Sequence, residues 1–270
     1  MKFTIVTLSF NQAEFIERTI RSVIEQEYRD KEYIVFDSGS NDGSHRIINR
    51  YRGLIDKVVF DFDHGPADAL NKGFREATGE IFGFLNSDDI LYPGAIERAA
   101  ECFRQHANLD VVSGDSILID ADDTPIRRLF SDKFSVIRYA YGANFIAQQS
   151  TFFRSSIFRK AGGFNKHNRC AWDGELFVDM ALAGGRFAVV RDFWSGFRSH
   201  PASISASGRF DQELGDYGRR IFRKILGREM GPADCLLKPY HRIVKHLLNP
   251  RGIGEHIRHG AVYGRLRSRR

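Results

Sequence analysis

The chain has 270 residues, 42% of them hydrophobic, enough for one domain of ordinary size with a substantial core and an appendage. No stretch approaches the ~20 apolar residues that would span a bilayer. The three cysteines, Cys102, Cys170 and Cys235, are too far apart for a disulfide frame or a metal cluster and read as free thiols in a reducing cytoplasm. The net charge of +6 belongs to the tail: Gly215 to Arg270 carries 14 Lys/Arg against 4 Asp/Glu, and the first 214 residues carry 26 against 30. That larger part is mildly acidic and needs no anionic polymer as partner.

The opening MKFTIVTLSF runs straight into a strand pattern, so no secretory leader is expected. Phe3–Phe10 is short, apolar and β-branched, which predicts a buried strand. Glu14–Gln26 has helical spacing, with Phe15, Ile16, Ile20 and Val23 on one face and charged residues on the other. Tyr33–Phe36 predicts a second strand, ended by Asp37 and the turn-rich run Ser38 to Ser44. A short helix over His45–Tyr51, a strand over Lys57–Phe62 and a helix over Ala67–Ala77 follow, the last closed by Thr78-Gly79. Glu80–Leu85 is a fourth strand, ending in Asn86-Ser87-Asp88-Asp89, and Pro93 opens a helix reaching about Gln105.

Alternating strands and helices predict an α/β layer with a mostly parallel sheet flanked by helices. Ligands of such sheets bind outside the carboxyl ends of the strands. Ser9–Asn11, Asp37–Ser44 and Asn86–Asp89 all fall there and should converge on one crevice. After Asp110 the pattern is mixed. Strands are expected at Val111–Ile119, Ile126–Phe130, Gln148–Phe153, Arg186–Val190 and Gly196–His200, with a helix over Gly174–Ala183. From Phe210 the chain reads as helical and basic.

Several polar residues admit two readings. Asp88 and Asp89 repel each other unless a positive charge sits there; a divalent cation bridging to phosphate supplies it, and a capped turn is the alternative. Asp37 is either a solvated turn residue or a carboxylate for a base or ribose. Asp68, Asn71 and Lys72 share a helix face, where a surface ion pair explains Asp68 and Lys72 equally well. Asp173 precedes an amphipathic helix, where an N-cap is the plain reading, and a Trp such as Trp172 is more often core. Phe152 and Phe153 are assigned to the core.

Together, five ordered segments resemble the family 2 glycosyltransferases of the GT-A fold. They are Leu8-Ser9-Phe10-Asn11-Gln12, Val35 to Ser44, Gly65 to Gly73, Ala77-Thr78-Gly79-Glu80 and Phe84-Leu85-Asn86-Ser87-Asp88-Asp89. The resemblance continues more weakly through Gln148 to Arg154, Gly162-Gly163-Phe164, Trp172 to Leu176 and Arg198-Ser199-His200. It implies a GT-A domain over residues 1–209, with a nucleotide-sugar half at 1–110 and an acceptor half at 111–209, followed by a basic helical extension at 210–270. It further implies that Asp37 binds the nucleobase, that Ser9 and Asn11 lie near the nucleoside, and that Asp68, Lys72, Asn86 and Ser87 hold the nucleotide-sugar. Asp88, Asp89 and His200 would ligate or border Mg²⁺ or Mn²⁺. Many relatives carry Asp where this chain has Asn86, which leaves fewer carboxylates here. Asp173 would be the base, with Glu175 as a competing candidate, and Gln149 and Trp172 would face the acceptor, Trp172 stacking on a sugar ring.

The reaction so implied is inverting transfer of a single sugar, hexosyltransferase in type, from a nucleotide-sugar donor, by family frequency a UDP-sugar. The acceptor would be a glycan or a polyprenyl-diphosphate-linked glycan in surface polysaccharide synthesis. The basic stripe over Cys235–Leu248 would either pack on the domain or contact an anionic membrane, at the cytoplasmic face of the inner membrane. Gly252–Arg270, rich in Arg and Gly, is expected to be partly disordered. A nucleotidyltransferase would want a Gly-rich, basic phosphate loop that Ser38–Ser44 does not supply. A non-catalytic nucleotide-binding scaffold with a nucleic-acid tail lacks an aromatic stacking platform, so no nucleic acid is expected as partner.

Overall fold

The computed structural model describes residues 1–201, 203 and 210–260. The first half alternates strand and helix: β1 (Phe3–Ser9), α1 (Ile16–Ile24), β2 (Lys31–Asp37), α2 (Ser44–Arg50), β3 (Lys57–Phe60), α3 (Pro66–Arg75), β4 (Ile81–Asn86), β5 (Ile90–Leu91) and α4 (Ala95–Gln105). The second half holds β6 (Val111–Ile119), β7 (Pro125–Leu129), α5 (Val136–Ala140), β8 (Thr151–Arg154), α6 (Ser155–Lys160), α7 (Trp172–Leu182) and β9 (Phe187–Arg198). Three helices close the described chain: α8 (Asp211–Leu226), α9 (Pro232–Leu248) and α10 (Arg251–His259).

All nine strands share one sheet in the order β3-β2-β1-β4-β8-β6-β9-β5, with β7 on β6. β3, β2, β1 and β4 are parallel; β8 runs antiparallel to both β4 and β6, and β9 is parallel to β6. The N-terminal strands read as unbroken apolar runs because both sheet faces are covered. Phe3 and Ile5 of β1 enter one core with Tyr33 and Val35, and Val6 enters the other with Ile34. α1 and α4 line the first face, while α3, α6 and α7 line the second. Phe152 and Phe153, neighbours on β8, feed opposite cores, as alternation along a strand requires.

Two expectations are corrected. Gln148–Ser150 is a 3₁₀ turn, and the strand begins only at Thr151. The two strands expected at Arg186–Val190 and Gly196–His200 are one, Phe187–Arg198. In the Arg- and Gly-rich end, Arg251–His259 is helical, and residues 261–270 of that expectation lie outside the described residues.

The basic tail is fastened to the sheet domain by ion pairs, two of them to domain carboxylates and one from a domain arginine to a tail carboxylate. Arg251 Nη1 meets buried Asp115 Oδ2 at 2.5 Å, Lys245 Nζ lies 3.3 Å from Asp132 Oδ2, and Arg128 Nε donates to Glu255 Oε1 at 3.0 Å. α8 buries Tyr217, Ile221 and Phe222 against α5 and α7. Among the described residues, no helix is long and apolar enough to cross a membrane.

Candidate active site

Strand register gathers the polar strand ends. Ser9 pairs with Asp37, and Leu8 with Asn86, so the three carboxyl ends reach the same edge of the sheet. Outside that edge is a cavity of about 620 Å³. Asn86, Ser87 and Asp88 line it from the N-terminal half of the chain, and Gln149, Trp172 and Asp173 from the second half. These six expected site residues converge on it.

The loop after β4 is held by two neighbours. Thr19 Oγ1 on α1 donates to the carbonyls of Ser87 (2.9 Å) and Asp89 (2.7 Å). The fully buried Arg198 donates through Nε to the Asp88 carbonyl at 2.6 Å and through Nη1 to the Asp120 carbonyl at 2.8 Å. Arg198 also pairs with Asp123. One guanidinium thus ties the acidic loop to the β6–β7 turn, and it brings His200 alongside: His200 Nε2 lies 3.0 Å from Asp88 Oδ2.

Asp89 turns the other way. It is buried, its Oδ1 accepts the Arg198 backbone N–H at 2.8 Å, and burial followed by the nearby Asp88 charge pushes its pKa well above the usual carboxylate range. Of the three residues expected to ligate or border a metal, Asp88 and His200 thus stand side by side while Asp89 faces the Arg198 backbone; among the described residues, no group of three or more His, Cys, Asp or Glu side chains is arranged to cage a metal. Asn86 explains its own departure from the acidic pattern. Its Nδ2 is placed between two acceptors, Gln148 Oε1 at 3.3 Å and Asp89 Oδ2 at 3.4 Å, where a carboxylate would be repelled. Its Oδ1 is buried without a partner.

The remaining donor-side residues build the walls. Asp37 is fully buried and spends its carboxylate on its own loop, accepting from the Gly39 and Ser40 N–H groups (3.1 and 2.9 Å) and from Ser40 Oγ (2.7 Å), with His45 Nε2 at 2.6 Å. Ser9 is buried beside it with an unpartnered Oγ. Asn11 adopts a left-handed φ of 52° and accepts the Asn41 N–H at 2.9 Å, joining the first two strand-end loops. Lys72 donates to Asp61 Oδ2 at 2.9 Å and to the Phe62 carbonyl, and Asp68 Oδ2 accepts the His64 N–H at 3.2 Å. Asp68 thus braces the rim segment Asp63-His64-Gly65 and Lys72 the residues leading into it, and neither lines the cavity. Gly65, at φ 128°, makes the turn from that rim into α3 that residues with a Cβ rarely adopt.

On the acceptor side the two competing carboxylates separate. Glu175 is buried; Asn165 Nδ2 (3.1 Å), Asn168 Nδ2 (2.7 Å) and Arg220 Nη2 (2.8 Å) all donate to it. Burial raises its pKa, but those three donors outweigh burial and hold the carboxyl below its ordinary range. Asp173 lines the cavity, forms no ion pair among the described residues, and has its pKa raised by burial. The N-cap alternative is also removed, because α7 is capped at Ala171, whose N–H goes to Asn168 Oδ1 at 3.1 Å. Beneath Asp173, a Cβ on Gly174 would stand 1.8 Å from Tyr139 Oη, so only glycine lets the Tyr139–Tyr217 hydroxyl pair (2.7 Å) pack there. The Trp172 ring is packed into the core and its buried Nε1–H has no partner. Gln149 is oriented through Nε2 onto Ser116 Oγ at 3.2 Å.

Against known proteins, residues 4–170 match the family model described as glycosyl transferase family 2. The chain belongs to that family. It is a glycosyltransferase of the GT-A fold. An uncharacterized glycosyltransferase of Nostoc sp. is 27% identical over 226 residues, 79% of this chain and 70% of the relative. A PGL/p-HBAD biosynthesis glycosyltransferase of Mycobacterium tuberculosis is 30% identical over 196 residues, covering 70% of this chain and 74% of the relative. Among solved structures, S. aureus TarS 1-349 with UDP-GlcNAc superposes with a TM-score of 0.70 at 18% identity, covering 91% of this chain and 72% of that one. The mannosyltransferase PcManGT from Pyrobaculum calidifontis, with GDP-Man and Mn²⁺, gives 0.64 at 19%, covering 97% and 76%.

For a family 2 glycosyltransferase the donor set here fits a hard divalent cation. Asp88 offers a carboxylate oxygen and His200 an imidazole nitrogen, and Asn86 Oδ1 lies unpartnered in the same region; Mg²⁺ and Mn²⁺ ordinarily complete such a shell with phosphate oxygens and water. Reading the sequence missed Asp63, His64 and Arg169 on the cavity. The first two directly precede the Gly65-Pro66 segment and Arg169 lies four residues before Asp173, so extending each motif N-terminally would have found them.

Proposed function

We propose that this glycosyltransferase transfers a single sugar, with inversion, from a nucleotide-sugar, by family frequency a UDP-sugar, to a glycan or polyprenyl-diphosphate-linked acceptor in surface polysaccharide synthesis. The observation that carries this reading is that Asp173, desolvated and without an ion pair, shares one cavity with Asp88. Residues 1–110 hold the donor, 111–209 the acceptor, and the basic helices from 210 onward form a separate functional unit.

Asp173 accepts the proton of the acceptor hydroxyl as that oxygen attacks the anomeric carbon from the face opposite the diphosphate. A new C–O bond forms, the bond to the diphosphate breaks, and the nucleoside diphosphate departs with the electron pair. Burial suits Asp173 to this work, since a raised pKa makes a carboxylate a stronger base. Mg²⁺ or Mn²⁺, held by Asp88 and His200, would supply charge neutralisation for the leaving diphosphate. Asn86 and Ser87 orient the donor, and the loops shaped by Ser9, Asn11 and Asp37 receive its nucleoside, with Asp68 and Lys72 bracing the rim. Gln149 and Trp172 position the acceptor, the indole N–H being free to donate to a sugar oxygen. The GDP-Man and Mn²⁺ in PcManGT and the UDP-GlcNAc in TarS support a nucleotide-sugar donor and a divalent ion.

The test is nucleotide release from UDP-, GDP- and dTDP-sugars with Mn²⁺ or Mg²⁺, comparing the unaltered chain with Asp88→Ala and Asp173→Asn. Metal-dependent turnover of one donor, lost in both variants, is expected. Failure to bind any of these nucleotides in calorimetry would overturn the reading.

A further inference from the structure

We infer that α9, together with α10, is the face by which this protein docks on an anionic lipid membrane. One flank of α9 is committed to the domain. His241 stacks on Tyr141 with ring centroids 4.4 Å apart, Asp234 is buried, and the helix ends at Asn249, whose Nδ2 donates to Asp132 Oδ1 at 2.9 Å. The other flank is apolar and uncovered. Leu236, Tyr240, Ile243 and Leu247 follow each other at steps of four, three and four residues, so they form one stripe, and they are 77%, 57%, 60% and 75% exposed. A contiguous exposed stripe of this kind marks a binding surface.

The charges around it identify the occupant. Basic residues facing the domain are matched: Lys245 by Asp132 and Arg251 by Asp115. Arg242, exposed and next to Ile243 at the edge of the stripe, forms no ion pair among the described residues, and α10 repeats the arrangement with exposed Ile257 beside exposed Arg258, which is likewise unpaired among those residues. The sequence after Gly260, outside the described residues, adds Arg265, Arg267, Arg269 and Arg270. Aliphatic side chains and a tyrosine flanked by long cations suit the boundary between acyl chains and anionic headgroups, where Lys and Arg keep their charge in water while their stems lie along the apolar surface. Self-association through this face would leave Arg242 and Arg258 without acidic partners, because the carboxylates of α9 and α10, Asp234 and Glu255, are buried against the domain.

The docking face also adjoins the cavity. Asp132, which anchors Asn249, donates its N–H to the Phe145 carbonyl at 2.7 Å and accepts the Phe145 N–H on Oδ2 at 2.8 Å; Phe145 lines the acceptor side. A membrane under α9 would therefore present a lipid-linked acceptor at that lip. This last step, unlike the docking itself, rests on the proposed function.

The test is co-sedimentation of the full chain with phosphatidylcholine vesicles, with and without phosphatidylglycerol. The unaltered protein should sediment with the anionic vesicles and be released by salt. A Leu236→Ser/Ile243→Ser/Leu247→Ser variant should lose roughly tenfold or more in partitioning, and Arg242→Glu/Arg258→Glu roughly tenfold. Both should melt like the parent and keep nucleotide binding, since every altered side chain is exposed. No binding of the unaltered chain to anionic vesicles, or equal binding by the triple-Ser variant, would overturn the inference. So would sedimentation velocity showing that the stripe mediates dimerisation without vesicle binding. Donor turnover without vesicle binding would sink only the docking face; vesicle binding without donor turnover would sink only the catalytic reading.

Discussion

Arg220 on α8 donates to Glu175 Oε2 at 2.8 Å, whereas Asp173, two residues earlier on α7, forms no ion pair among the described residues. The two carboxylates are thereby given different work. Glu175→Gln should leave turnover within a few-fold of the parent and lower unfolding stability by about 1–3 kcal/mol, because buried donors lose a charged acceptor. The Glu175 pKa is depressed on folding, so its contribution is present above the unfolded pKa and fades as pH falls toward the folded one. Denaturant melts from neutral to acid pH should therefore converge for parent and variant at the acid end.

Asp173→Asn should behave oppositely. Loss of the base should cut turnover by roughly 10²–10⁴-fold with little change in nucleotide affinity. Burial raises the Asp173 pKa, so its ionised form costs stability in the folded protein at neutral pH, and the Asn variant should melt higher. The same direction sets the pH–rate profile. Activity needs the carboxylate, so the acid limb of turnover should fall above the range of an unperturbed Asp. A variant melting no higher than the parent would argue that Asp173 is stabilising and not strained.

Asp88 and Asp89 should not be equivalent. Asp88→Ala removes the carboxylate beside His200 and should lower metal-dependent turnover by at least ~10²-fold, as loss of a metal ligand on the leaving-group side does. Asp89→Asn keeps an oxygen for the Arg198 N–H and leaves the cavity wall unchanged, so the metal concentration giving half-maximal rate should move little. Metal titrations of the two variants side by side check this.

Gly174→Ala should destabilise the chain by about 1–3 kcal/mol, because a methyl group would strike Tyr139 Oη and separate the Tyr139–Tyr217 pair. Adding Tyr139→Phe removes the atom in the way and should recover part of the loss in thermal melts.

The donor half was legible because its chemistry is local. Strands covered on both faces read as apolar runs, and the Asp, Asn, Ser and Gly residues that end them mark one edge of the sheet. What escaped depended on the rest of the fold. β5 is two residues, Ile90 and Leu91, recognisable only by its pairing with Gly196 and Ser195. β9 looked like two strands because Arg191 and Asp192 interrupt its apolar run. Side-chain direction was equally hidden. Asp37 and Asp88 both close a parallel strand end, yet one is drawn inward by the N–H groups of its own loop and the other lines the cavity. Arg220 and Lys224, more than forty positions downstream, join Asn165 and Asn168 in separating Glu175 from Asp173 as a base.

β8 has a mechanical consequence. It is hydrogen-bonded to β4 on one side and β6 on the other, and Phe152 and Phe153 plug one core each. The strands on either side of the cavity are therefore parts of one continuous plate, and any change in the cavity's width falls to the loops along its rim.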